Sequence, residues 1–98
     1  MRIRATHDEG MTIVKVLVNH PMETGRREGA DGVYPAHFIT ELTARHNDRV
    51  VLAAQFGRSV SRNPFMKFTF RGGVPGDKVS IHWVDNLGDS RADEVEIK

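Results

Sequence analysis

Apolar and polar residues alternate with a period of two along most of this chain. Val14, Val16 and Val18 form one such set. Phe38, Leu42 and Ala44 hold even spacing in the next run, with Thr40 between them. Val50, Leu52, Ala54 and Phe56 follow, then Met66, Phe68 and Phe70, then Val79, Ile81 and Trp83, and finally Val95 and Ile97. Alternation of this kind turns one face of an extended segment inward and the other outward. The spacing predicts seven short strands, at residues 2–6, 12–19, 38–46, 49–56, 65–71, 78–84 and 89–97. Turn-forming groups separate them: Asp8-Glu9-Gly10, Asn47-Asp48, Arg62-Asn63-Pro64, the run from Gly72 through Asp77, and Asp85-Asn86-Leu87-Gly88. A helix over residues 41–56 is the rival reading. It fails because Arg45, His46 and Arg49 break the apolar stripe and Asn47-Asp48 falls in its middle. Seven short strands in 98 residues predict an all-β, immunoglobulin-like β-sandwich of antiparallel strands, forming one domain over residues 1–98.

Two features depart from a plain free-standing sandwich. The outward positions of the second strand carry Ile13 and Leu17 around Lys15. Phe65 lies opposite Phe68 in the fifth strand, and Val51 opposite Leu52 in the fourth. A solvated sheet face prefers polar residues, so these positions predict a face covered by a partner. The second feature is the long polar segment at residues 20–36, which opens with His20-Pro21-Met22-Glu23-Thr24-Gly25. Long loops in compact domains carry function or contact. Pro21 keeps His20 extended and ends the preceding strand. Met22 is an adaptable apolar side chain. Glu23 is placed to pair with Arg26 or Arg27. His20, Met22 and Glu23 are therefore expected at a partner contact, together with Ile13, Leu17, Val51 and Phe65.

Composition removes several function classes. The formal net charge is +1, and Arg26-Arg27 is the only local concentration of base. Nucleic-acid binding wants a basic stripe with stacking aromatics, so it is not expected. No apolar run approaches the ~20 residues of a membrane-spanning helix, and residues 1–8 lack the apolar core of a secretory leader. By itself that predicts the cytoplasm. There is no cysteine, hence no disulfide, thiolate ligand or cysteine nucleophile within this chain. Five histidines, His7, His20, His37, His46 and His82, show no ligand spacing of a zinc site and read as surface or loop imidazoles, although His46 and His82 could approach across strands. The serines lack a nucleophile elbow. Gly72-Gly73 lacks the Lys-Ser/Thr of a phosphate loop and reads as a tight turn. No cofactor, metal or catalytic residue is expected.

Residues His20 through Gly25, Arg27 with Gly32 and Pro35, Asn63-Pro64-Phe65, and Trp83 through Gly88 occur in this order on a cysteine-free strand-rich chain. In these words the chain resembles the SoxZ family, the small subunits of SoxYZ sulfur-carrier complexes, over nearly its whole length. The resemblance implies an immunoglobulin-like sandwich paired with a SoxY subunit, whose cysteine sits on a glycine-rich arm and carries sulfur during thiosulfate oxidation. It implies a non-catalytic scaffold, transient contacts with other Sox enzymes, and a periplasmic home reached by co-export with a signal-bearing partner. The alternatives are a metal-binding or redox sandwich and a general protein-interaction module.

Overall fold

The computed structural model describes residues 1–30 and 32–98. Among them it contains nine strands and no helix: β1 (Arg2–Asp8), β2 (Met11–Leu17), β3 (Glu28–Gly29), β4 (Gly32–Val33), β5 (Ile39–His46), β6 (Arg49–Gln55), β7 (Phe65–Arg71), β8 (Lys78–Asp85) and β9 (Ser90–Glu96). Seven of them are the strands that the alternation predicts. They form two antiparallel sheets, β1-β2-β7 and β6-β5-β8-β9, and this is the expected immunoglobulin-like sandwich. The two-residue strands β3 and β4 make a small hairpin inside the long polar segment, where period-two alternation is too short to be read.

The inner faces meet in one core. Val14, Val16 and Val18 from the first sheet, and Leu42, Ala44, Val79 and Ile81 from the second, are wholly buried. One side of the sandwich is laced shut beyond β9. The Lys98 N–H donates to the Ala5 carbonyl, and the His7 N–H donates to the Lys98 carbonyl. The strands at the opposite side, β6 and β7, are the free sheet edges.

Two bulges correct the face assignments. Between Ile39 and Glu41 the β5–β8 register shifts, leaving Thr40 as the extra residue. Ile39 thereby becomes the fully buried side chain at the start of β5, and Phe38, expected inside, is half-buried. Between Ala44 and Arg45 the β5–β6 register shifts too: Ala44 faces Leu52 and Arg45 faces Val50, so Val51 is the extra residue. An extra residue reverses the alternation beyond it. Val50, expected inside, is exposed, and Val51, expected outside, is half-buried against the core. Val51 also belongs to the four-stranded sheet, apart from Ile13, Leu17 and Phe65.

Candidate functional site

The three words of sequence that stand farthest apart meet at one place. His20 is the pivot. Its backbone N–H donates to Asn63 Oδ1 (3.0 Å), and its carbonyl accepts from the Asn63 N–H (2.9 Å). Its ring lies edge-on to Trp83 at 5.1 Å and to His37 at 4.6 Å. Nε2 of His20 donates to Asp85 Oδ2 at 3.1 Å, and Nε2 of His37 reaches the same oxygen at 2.8 Å. The other oxygen of Asp85 accepts the Leu87 and Asp89 N–H groups at 3.0 and 2.9 Å. One buried carboxylate therefore gathers four donors.

Local sequence makes this possible. Asp85 ends β8 and folds an Asx turn onto Leu87, and Gly88 (φ +89°) completes the β8–β9 reversal. Pro21 removes a strand donor just after His20, and Met22 takes a left-handed φ of +49°. That turn points the Met22 N–H back at Nδ1 of His20, 3.0 Å away. Asn86 clamps the far end of the loop by donating to the Ala36 carbonyl and accepting from the Phe38 N–H. Glu23 and His37 close the base of the loop with paired backbone bonds. The described residues of this segment, 24–30 and 32–36, thus form a stalk with pinned ends, not a loose strap.

Burial of Asp85 is the largest influence on its carboxyl and pushes the pKa up. The hydrogen bonds from His20 and His37, with the Asp89 and Leu87 amides, together outweigh it and hold the group below its ordinary value. A carboxylate, not a carboxylic acid, is thus the resting form at neutral pH.

His20, His37 and Asp85 are also the one group of three candidate metal donors among the described residues, with ligand atoms within 4.8 Å of one another. The donor chemistry argues against a cation there. His20 Nδ1 accepts from the Met22 N–H, so the ring hydrogen is on Nε2, aimed at Asp85. Coordination through Nε2 would move that hydrogen to Nδ1, where one donor would face another. The cluster fits a hydrogen-bonded hub. Spacings of 17 and 48 residues hid it from any ligand-motif search, and His20, expected as a surface or loop imidazole, is a loop residue whose ring is buried. His46 and His82 do not converge: in the register Thr43 faces His82, and His46 faces Val79. His46 instead meets Asp77 (2.7 Å).

The expected contact residues divide into two groups. His20 and Met22 point inward, 2% and 5% exposed, so their side chains lie within the fold and shape the start of the loop. Met22 seats its sulfur on the Ile39 N–H. Glu23 is partly exposed and grips Arg27, which holds its carboxyl below the ordinary value. Arg27 in turn lies over the Tyr34 ring at 3.7 Å, and Tyr34 packs so closely on Gly29 that any Cβ there would collide. Of the two partners expected for Glu23, Arg27 is the one it meets; sequence reasoning missed the Tyr34 ring under that guanidinium, which completes a stack that stiffens the stalk.

Leu17 and Phe65 face each other across β2 and β7 on the outer face and are 41% and 62% exposed. Ile13, on the same face, is half-buried. A surface cleft of about 540 Å³ lined by Arg2, Leu17, Asn19 and Asn63 has one member of this apolar pair, Leu17, in its wall. Asn63, in the same wall, is bonded to the His20 backbone, so the cleft joins the apolar pair to the root of the loop.

Among curated proteins none matches the chain. The family model described as "Sulphur oxidation protein SoxZ" matches residues 1–96.

Proposed function

The chain belongs to the SoxZ family of the sulfur oxidation system, and from that premise we propose that it is the non-catalytic scaffold of a sulfur-carrier heterodimer. Its partner is a SoxY-like subunit bearing the sulfur-carrying cysteine on a mobile arm. This chain has no cysteine and so supplies no acceptor thiol. What it contributes is position. The single observation that carries the reading is the continuity of the exposed Leu17–Phe65 pair, through the cleft, with a loop anchored on a buried hub. Apolar side chains left in water on a flat sheet favour a dry protein contact, and a rigid stalk beside that contact is suited to holding the root of an arm. A tethered thiol is presented to successive enzymes at high effective concentration, with no catalysis required of the scaffold.

The proposal includes an interface above about 1,000 Å² in total, as stable complexes need. It also includes a periplasmic location reached by co-export with the partner, which fractionation of the native host tests directly. Co-expression with the cysteine-arm subunit tests the core of it. The expected outcome is copurification and a single 1:1 peak at micromolar concentration, lost on Leu17→Ser with Phe65→Ser. Separate monomers from the unmutated pair would end the proposal. A sulfur adduct or turnover on this chain alone would do the same.

A metal-binding reading rests on the His20–His37–Asp85 geometry alone. Metal analysis of the purified chain decides it: a stoichiometric transition metal abolished by His37→Ala would favour it.

A further inference from the structure

The outer face of the β1-β2-β7 sheet holds charge in an arrangement that its own fold disfavours. The register sets Arg4 opposite Lys15, and Lys15 opposite Lys67. Three cations therefore stand in one row across three strands, all exposed. Directly opposed like charges destabilise a sheet. Arg2 and Arg71 extend the same face, where Asp8 is the only carboxylate. Five cations against one acid sit on a single face of a chain whose whole formal charge is +1. Among the described residues none of the five forms an ion pair. The acids of the chain lie elsewhere, notably Glu94 and Glu96 on β9, where Lys78 already meets them.

We infer that this row is the electrostatic half of a docking surface and that its counter-charge is a carboxylate-rich face of a partner protein. This rests on the heterodimer reading given above and adds the chemistry of the partner's surface. Two observations select a protein over a polyanion or a lipid. Leu17 and Phe65 occupy the row next to the cations, paired across the same two strands, and apolar side chains so placed need a dry, shaped contact. The face also lacks the stacking aromatics that single-stranded nucleic acid uses, since Phe65 is its only aromatic residue. The partner surface that fits is an apolar patch bordered by Asp and Glu side chains. Repulsion tolerated in the free chain is relieved on docking, and long-range attraction raises the association rate.

The test uses the purified chain and the cysteine-arm subunit, titrated calorimetrically at 50 and 300 mM NaCl. Lys15→Glu is expected to weaken binding at least tenfold at 50 mM and to flatten its salt dependence. The same change is expected to raise the melting temperature of the isolated chain, because Lys15 stands between Arg4 and Lys67 and its reversal makes both cross-strand pairs attractive. Weaker binding with greater stability separates a docking role from simple unfolding.

If charge reversal leaves affinity unchanged while Leu17→Ser with Phe65→Ser abolishes it, the charge inference falls and the heterodimer reading stands. If neither variant changes affinity, the charge inference falls together with the placing of the interface on this face, while no binding of the unmutated chain at either salt concentration ends the heterodimer reading itself. Tight binding of the unmutated chain to phosphatidylglycerol vesicles, lost on charge reversal with partner affinity intact, would overturn the inference in favour of a lipid surface. Self-association at 50 mM NaCl abolished by the same reversal would overturn it in favour of a second copy of this chain.

Discussion

Replacing Asp85 by Ala removes the one acceptor that four donors share. The His20 ring loses its Nε2 partner and, at 2% exposure, gains no water in exchange. A buried donor stranded in this way costs about 1–3 kcal/mol. His37 is half-buried and recovers part of its bond from solvent; the Leu87 and Asp89 amides lie in an exposed turn and recover most of theirs. With the small void left by the carboxylate, the total comes to about 3–5 kcal/mol. A chain of 98 residues has roughly 5–15 kcal/mol in all, so the variant loses a large share of its margin. Urea denaturation is the assay. With m of about 1–1.5 kcal/mol/M, the midpoint is expected to fall by about 2–5 M at unchanged m. Because His20 and Asp85 act through one bond, the double variant with His20→Ala is expected to cost clearly less than the sum of the singles. Hydrogen exchange supplies the functional readout: the Glu23 and His37 amides that close the loop base should lose protection in Asp85→Ala. A loss below about 1 kcal/mol, or strict additivity with His20→Ala, would refute the hub.

Further outcomes follow from the same geometry. The carboxyls of Asp85 and Asp77 both lie below their ordinary value of 3.8, Asp77 chiefly through the His46 bond. Their contribution is fully present above pH 4 and is lost as the pH falls from there through the lowered folded values. Acid denaturation followed by circular dichroism should therefore begin below about pH 4, and more gradually in Asp85→Asn, which lacks that group's share. Gly73→Ala drives a Cβ into Thr12 Oγ1 and to 2.9 Å from Ile97 at φ +79°, and should lose about 2–4 kcal/mol by thermal unfolding. Leu17→Ser with Phe65→Ser should leave the isolated chain within about 1 kcal/mol of the parent yet weaken the heterodimer at least tenfold, or about 1.4 kcal/mol. Gly29→Ala should displace Tyr34 from its seat beneath Arg27, seen as a change in tyrosine fluorescence with little change in global stability.

The alternation of Val14, Val16 and Val18, or of Val79, Ile81 and Trp83, is a local property of an extended chain. It could be read directly, and it yielded seven strands and the sandwich. The bulges could not be read. Thr40 and Val51 look like ordinary members of their strands, and only the register against β8 and β5 makes them extra residues that turn Ile39 in and Val50 out. The candidate site was half legible. Residues 20–25, 63–65 and 83–88 stood out as separate words, and their order carried the family resemblance. Their shared purpose was hidden, because a carboxylate gathering donors across 65 residues has no signature in spacing. His20 and Met22 drew notice as contact residues, yet their side chains are buried, since polarity along the chain does not reveal which way a turn faces.

The sequence by itself determined the strand content, the absence of a thiol and the position of the long polar segment, because backbone extension, side-chain chemistry and turn formation are each set by a few neighbouring residues. Only the tertiary structure decided that His20, His37 and Asp85 share one buried oxygen, and that Arg4, Lys15 and Lys67 share one row. Both depend on register between distant strands, and that register is fixed collectively by core packing and bulges, not by any single segment.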